Sequence, residues 1–183
     1  MMKKNIGAHM ILLMLIGALI LTTGCSESND EQAEAKDTTL PTSLFLAQAP
    51  TGVQSITSLK ADAKEGDSVV IEVVVGGRKQ SYVPNRAVMM VVDAKLDNPC
   101  LSEDDHCSTP WDYCCTPSDQ LVPQMASVKI LGPDEQPLVI DLKTVDRLSP
   151  LTSLVIQGTV GPRPNDTVLV INATGIFVAA KKG

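Results

Sequence analysis

The stretch Ser68–Val75, with the sequence SVVIEVVV, decides the fold class of this chain. Six of its eight residues are β-branched, and such side chains favour the extended backbone of a strand. Ala87–Val92 (AVMMVV) has a similar composition, and Ala126–Leu131 alternates apolar with polar residues. A hydrophobic content of 44% is enough for a packed core. We therefore predict a mainly β domain.

Helical spacing precedes the first strand. Val53, Ile56, Leu59 and Ala63 recur at intervals of three or four residues. This spacing predicts a short helix with one apolar face, and Gly66 is a suitable place for it to end.

The sequence after the third strand predicts a return strand, a short helix and two more strands. These elements are a strand over Leu138–Ile140, a helix capped by Asp141 and broken by Ser149–Pro150, and strands over Leu154–Val160 and Thr167–Val178. Glycine inside a strand indicates a bulge or a close backbone approach, so we expect irregular pairing at Gly158 and Gly175.

This order of elements resembles an OB-fold, a five-stranded Greek-key barrel with a helix between its third and fourth strands. The glycines would relieve the curvature of so small a barrel. An antiparallel β-sandwich is the alternative. We assign residues 51–183 to this single domain, including a cysteine-rich insertion over residues 94–124.

Residues 1–24 have the pattern of a secretory leader. Lys3 and Lys4 form a basic start, and Met10–Leu21 is a mostly apolar run. This run is too short to cross a bilayer comfortably but fits the apolar region of a signal peptide. Small residues follow immediately before Cys25.

The end of this leader resembles the lipobox of bacterial lipoproteins. The resemblance implies that the Cys25 thiol receives a diacylglyceryl group, that cleavage precedes Cys25, and that the new amine is acylated by a fatty acid such as palmitate. Ser26 stands where an aspartate would resemble an inner-membrane retention signal. The resemblance thus predicts an outer-membrane lipoprotein facing the periplasm.

Residues 25–50 are predicted to form the lipid anchor and a tether that joins it to the domain. Ser26–Thr39 contains five acidic residues, one lysine and no large apolar residue, which predicts disorder. We expect Leu44, Phe45 and Leu46 to dock on the domain. The formal net charge is −6, and loss of Lys3 and Lys4 with the leader lowers it to −8. So acidic a protein does not attract nucleic-acid phosphates.

The insertion carries four cysteines, Cys100, Cys107, Cys114 and Cys115. A loop of this length inside a small domain is either functional or cross-linked. In an oxidising compartment four cysteines predict two disulfides. A bond between Cys114 and Cys115 would close a strained ring. The pairing 100–114 with 107–115 and the pairing 100–115 with 107–114 both remain open.

A metal site is the alternative use of these residues. Together with His106, the four cysteines offer thiolate and imidazole ligands suited to zinc or copper(I). The spacing C-x6-C-x6-C-C lacks the Cys-x-x-Cys knuckle of zinc ribbons, so the motif is not specific.

Aromatic and basic residues supply one further candidate site. Trp111 and Tyr113 either stack on a sugar or a base or pack the insertion against the barrel. Arg78 and Arg86 flank the loop between the first two strands and would add a small positive rim for an anionic ligand.

The string TPWDYCC, at residues 109–115, resembles a segment of uncharacterised bacterial secreted or lipid-anchored proteins. In those proteins an earlier pair of cysteines, here Cys100 and Cys107, precedes the string within a short OB-like domain. The resemblance covers roughly residues 53–180 and implies a fold but no activity.

We therefore predict a non-enzymatic binding module, anchored in the membrane, that contacts a protein or an envelope glycan. Phosphate-binding loops, serine nucleophile elbows and His-Glu-x-x-His helices are absent from the sequence. A periplasmic zinc or copper protein is the first alternative. Single-stranded nucleic-acid binding, suggested by fold analogy alone, is the second.

Overall fold

The computed structural model describes residues 39–102 and 107–181, and within these residues β-strands form most of the regular structure. The strands are β1 (Ser68–Val75), β2 (Val88–Asp93), β3 (Met125–Lys129), β4 (Thr152–Val160) and β5 (Val170–Lys181). The α-helices are α1 (Ile56–Asp62) and α2 (Ser118–Leu121). Short 3-10 helices cover Thr42–Leu44, Pro99–Leu101, Pro110–Asp112, Val122–Gln124, Leu142–Thr144 and Asp146–Leu148.

The five strands close into a ring in the order β1-β2-β3-β5-β4. All neighbouring strands are antiparallel except β3 and β5, which are parallel. This order is that of the OB-fold, and the ring is less regular than an ideal barrel. The mainly β, OB-like prediction is therefore confirmed, and the β-sandwich alternative is wrong, because β1 and β4 pair and close the sheet.

Irregular pairing between β4 and β5 lies at the predicted glycine. Gln157 pairs with Gly175 and Gly158 pairs with Ala173, so Thr174 is an extra residue on β5. An ideal Cβ on Gly158 would lie 2.3 Å from the backbone oxygen of Asn172, closer than any side chain permits. Both expectations for Gly158, a bulge and a close backbone approach, are confirmed.

The interior of the ring is apolar and continuous. Side chains from all five strands are buried there, among them Ile71, Met89, Val128, Ile156 and Ile171. The predicted alternation from Ala126 is confirmed, since Ala126 and Val128 are buried in the barrel core and Ser127 and Lys129 are partly exposed.

Helix α1 packs Ile56 and Leu59 against this core. The Ser55 side chain caps the helix by accepting a hydrogen bond from the amide of Ser58. Val53, predicted as part of the helix, lies before the cap and is 45% exposed. The helix therefore begins later than the apolar spacing suggested.

The segment before residue 51 docks on the barrel, as expected. Leu44 is buried, and Phe45 forms a bridge with Ile176 of β5. The amide of Leu46 donates a hydrogen bond of 2.9 Å to the carbonyl of Ile176. The folded part thus extends toward the N-terminus beyond the boundary predicted at residue 51.

The predicted strand over Leu138–Ile140 is wrong. An isolated bridge joins Leu131 to Pro137, and Leu138 bonds to the backbone of Ile130 and Ala87, but no strand forms over these residues. The last strand begins at Val170 instead of Thr167. The Asn165 side chain accepts hydrogen bonds from the amides of Thr167 and Val168 and holds this segment in a turn.

The single helix predicted after Asp141 is two 3-10 helices. Asp141 caps the first, its carboxylate accepting a hydrogen bond of 3.0 Å from the amide of Lys143. Val145 then adopts an extended backbone (φ −96°, ψ 101°) that separates the two turns. Leu142 and Leu148 are buried, so both turns contribute a side chain to the barrel core. Among the described helices, none is long and apolar enough to span a bilayer.

Candidate functional site

The cysteine insertion (residues 94–124) connects β2 to β3 and is built from short turns instead of long elements. Asn98 links its two limbs. The Oδ1 atom of Asn98 accepts a hydrogen bond of 3.1 Å from the amide of Cys100, and its Nδ2 atom donates one of 2.9 Å to the carbonyl of Pro110. Since Asn98 is buried, these bonds fix the start of the insertion against its middle.

Asp112 fixes the backbone of the next cysteine. One oxygen of its carboxylate accepts a hydrogen bond of 2.9 Å from the amide of Cys114. The other accepts a hydrogen bond of 2.9 Å from the hydroxyl of Thr109. The turn that carries Cys114 is therefore held by side chains within the TPWDYCC string.

Tyr113 anchors the insertion in the barrel. Its backbone is left-handed (φ 57°), so the chain reverses there and the side chain points inward. The ring is fully buried in a small second core with Val92, Leu96 and Met125. Burial, followed by the nearby charges of Asp97 and Cys100, raises the pKa of Tyr113 to about 12.

Trp111 attaches the insertion to the loop after β1. Its carbonyl accepts a hydrogen bond of 2.8 Å from the amide of Gly77, and its Nε1 donates one of 3.3 Å to the carbonyl of Lys79. An ideal Cβ on Gly76 would lie 2.4 Å from the Trp111 oxygen. Only glycine at residue 76 permits this approach.

These anchors bring the sulfurs of Cys100, Cys107, Cys114 and Cys115, the cysteine cluster, together. All four Sγ atoms lie within 4.8 Å of one another. Cys114 is central, with Sγ–Sγ distances of 3.2 Å to Cys107, 3.5 Å to Cys100 and 3.7 Å to Cys115.

The cluster is buried on one side only. Cys100 is buried, Cys107 is partly exposed, and Cys114 and Cys115 are exposed. The amide of Cys115 donates a hydrogen bond of 3.2 Å to the sulfur of Cys100. This arrangement gives the cluster one inner sulfur and three that face solvent.

Hydrogen bonds between the thiols shift the pKa values of Cys107 and Cys114 in opposite directions. The hydrogen bond from Cys114 lowers the pKa of Cys107 below its ordinary value. The bonds of Cys114 with Cys107, Cys100 and Cys115 raise the pKa of Cys114 well above its ordinary range. These hydrogen bonds thus favour the deprotonated form of Cys107 and the protonated form of Cys114.

The sulfur spacing is close to that of a tetrahedral metal site, with three distances from Cys114 of 3.2–3.7 Å and all pairs within 4.8 Å. Metal–sulfur bonds of about 2.3 Å place the corners of a tetrahedron about 3.8 Å apart. By contrast, the three distances from Cys114 all exceed the S–S bond length of about 2.05 Å. The predicted pairing of two disulfides therefore stays a prediction, since these sulfurs are close but not at bonding distance.

The other sequence candidates have different outcomes. Tyr113 is inaccessible to a ligand, so it cannot act as a stacking platform, and packing against the barrel is its role. Trp111 is partly exposed and lies beside the loop of Arg78, whereas Arg86 is exposed next to the start of β2.

His106, which belongs to the alternative ligand set, lies outside the described residues. So does Cys25, the predicted lipidation site.

Four residues that position the cluster were missed from sequence. Asn98 and Asp112 are short polar residues that precede Cys100 and Cys114 by two positions, the spacing at which such side chains accept hydrogen bonds from the backbone. The pair Gly76–Gly77, directly after a strand, indicates close backbone approach. Asp112 bonds within its own turn, whereas Asn98 also bonds to Pro110 and Gly77 bonds to Trp111, partners that lie elsewhere in the chain.

No protein-family model matches this chain, and no curated protein matches it. Among solved structures, the hypothetical protein ygiW from E. coli is similar over 70% of this chain and 91% of its own, with 13% sequence identity and a TM-score of 0.39. The assignment of an OB-like fold does not depend on this likeness, because it rests on the strand order and the closed pairing of β1 with β4.

Proposed function

We propose that this protein is a non-enzymatic lipoprotein of the cell envelope that binds one thiophilic metal ion, zinc(II) or copper(I). The ligands are the four sulfurs of the cysteine cluster. The observation that carries the proposal is their mutual separation of at most 4.8 Å. Thiolates are the ligands preferred by both ions.

The surroundings of the cluster support a metal site. Asn98 and Asp112 hold the amides of Cys100 and Cys114, and the amide of Cys115 points at the sulfur of Cys100. Hydrogen bonds that orient ligands and stabilise thiolate charge are characteristic of metal centres. No sulfur has to move far to surround an ion.

The test is a metal titration of the full-length protein, reduced under anaerobic conditions and kept in detergent. Cobalt(II) serves as a spectroscopic probe for zinc, because thiolate ligation gives intense charge-transfer absorption. We expect one cobalt ion per chain, displaced by one equivalent of zinc. Copper(I) is titrated in a parallel experiment, so that the two ions are compared on the same protein.

Three variants define the ligands. Cys114→Ser removes the central sulfur and should abolish the charge-transfer band. Cys25→Ser is the control outside the cluster, since the sulfur of Cys25 is proposed to carry the lipid and is not a ligand, so the titration should be unchanged. His106→Ala should also bind one ion, because four sulfurs complete the site. Isolation of the native protein with two disulfides and no titratable thiol would contradict the proposal.

The anchor is tested separately. Cys25→Ala should lose incorporation of labelled fatty acid and leave the membrane fraction, because several acyl chains are what hold such a protein firmly. The Cys107→Ala variant, with a changed cluster and an intact lipobox, should remain in the membrane. Retention of Cys25→Ala in the membrane would refute lipid anchoring.

A further inference from the structure

We infer that the cysteine cluster is an exchange site, which receives a thiophilic ion and passes it on, and not a site whose ion holds the fold together. This inference rests on the proposed function. It concerns the use of the bound ion: cargo in the first case, a structural support in the second.

The insertion is attached to the barrel by Tyr113 and Trp111 and not by its cysteines. Tyr113 is buried with Val92, Leu96 and Met125, and this core contains no cysteine. The backbone of Trp111 accepts a hydrogen bond from Gly77. In a small metal-dependent domain the ion replaces a core that the chain cannot build. Here the ring has its own apolar core, and the insertion has its own anchor.

The ligands are also positioned before an ion arrives. The side chains of Asn98 and Asp112 accept hydrogen bonds from the amides of Cys100 and Cys114 and so fix the backbone there. Closing of the ligands around an ion therefore requires small side-chain rotations and no folding step. A preorganised site can release its ion and remain folded.

Access distinguishes this cluster from a structural centre. An ion held by four sulfurs has no open coordination position, so exchange requires a ligand that an incoming group can displace from the solvent side. Cys114 and Cys115 are exposed, and Cys107 is partly exposed, so an incoming ligand can reach an ion from the solvent side. Cys100 alone is buried and would hold the ion during exchange.

Exchange is a ligand substitution in which no electron is transferred. The entering thiolate forms a bond to the ion, and the bond from the ion to an exposed cysteine such as Cys114 then breaks. That cysteine leaves as a thiolate and takes up a proton from water. The ion keeps its oxidation state, so neither an oxidant nor a reductant is needed.

The test uses the full-length protein loaded with one zinc(II) or one copper(I), and a small dithiol chelator as acceptor. We expect the transfer rate to rise in proportion to chelator concentration, for whichever ion is bound. A rate that is independent of chelator concentration, limited by protein opening, would overturn the inference.

The metal-free, reduced protein provides the second measurement. It should keep its β circular dichroism and unfold cooperatively. The amide of Gly77, which donates to Trp111, should remain protected from hydrogen exchange. Loss of folding or of this protection would overturn the inference. Failure of the initial titration to load any ion would instead refute the proposed function, so the two failures are distinguishable.

Discussion

The barrel and the cysteine insertion differ in what holds them together. The barrel has a continuous apolar core drawn from five strands and α1. The insertion has a single fully buried aromatic anchor, Tyr113, and a set of side-chain hydrogen bonds to its own backbone. Stability and chemistry are therefore located in different parts of this protein. Changes in the barrel should affect unfolding, and changes in the insertion should affect metal binding.

The largest effect on stability is expected in the barrel. Ile156→Ala removes a fully buried side chain from β4 and leaves a cavity, so the free energy of unfolding should fall by about 4 kcal/mol. Urea unfolding monitored by circular dichroism measures the change. Val139→Ala is the control, because Val139 is 49% exposed and its loss should cost little. Equal effects of the two substitutions would contradict the assigned core.

A smaller effect is expected at the anchor between the two regions. Tyr113→Ala should lower the free energy of unfolding by about 3 kcal/mol, because a buried aromatic ring is lost. It should also weaken zinc binding, since the turn beside Cys114 loses its attachment. Competition with a zinc chelator measures the affinity.

Tyr113→Phe is the matched control for the anchor. The buried hydroxyl of Tyr113 has no hydrogen-bond partner among the described residues, so its removal should be neutral or slightly stabilising. A loss of stability as large as that of the alanine variant would show that the hydroxyl, and not the ring, is the anchor.

Alkaline pH should affect both regions through their tyrosines. Burial raises the pKa of Tyr113 to about 12, and it raises that of Tyr82 in the barrel above its usual range. An unfolded tyrosine has a pKa of about 10, so unfolding releases protons above this pH. The contribution of the tyrosines to stability should therefore be constant below a pH of about 10 and be lost as the pH rises through about 12.

Tyrosinate absorbance during an alkaline titration checks this pH dependence. The chain has two tyrosines, and neither should ionise with the ordinary value while the protein is folded. Tyr113→Phe should leave a single step. A step near pH 10 in the folded protein would contradict the burial of one of the rings.

The smallest effect is expected within the insertion. Asp112→Ala removes the hydrogen bonds to Cys114 and Thr109 and should lower the free energy of unfolding by about 1 kcal/mol. Its main consequence should be weaker zinc binding, because Cys114 is no longer positioned. Asp119→Ala, in α2 of the same insertion, is the comparison for a general charge effect. Equal zinc affinity in the two variants would exclude the positioning role of Asp112.

The two regions also differ in how well sequence predicted them. Strand β1 was bounded correctly because its β-branched run encodes strand structure locally, and Gly158 marked its own bulge. The strand expected over Leu138–Ile140 failed, since only Leu138 bonds to neighbouring backbone, at Ala87 and Ile130, and apolar character alone does not extend that pairing into a ladder.

The site was predicted only as a list of residues. Sequence placed the cysteines in one loop but could not show that their sulfurs converge, because Asn98 and Pro110 connect limbs that are 12 residues apart. Nor could spacing decide between stacking and packing for Tyr113. The choice follows from the left-handed backbone at that residue, which turns the ring inward.

X-ray absorption at the metal edge of the zinc-loaded, full-length protein tests the central claim most directly. We predict four sulfur neighbours at about 2.3 Å and no light-atom ligand. A shell made of nitrogen and oxygen atoms would contradict the four-sulfur site, as would a protein that cannot be loaded because its cysteines are joined in disulfides.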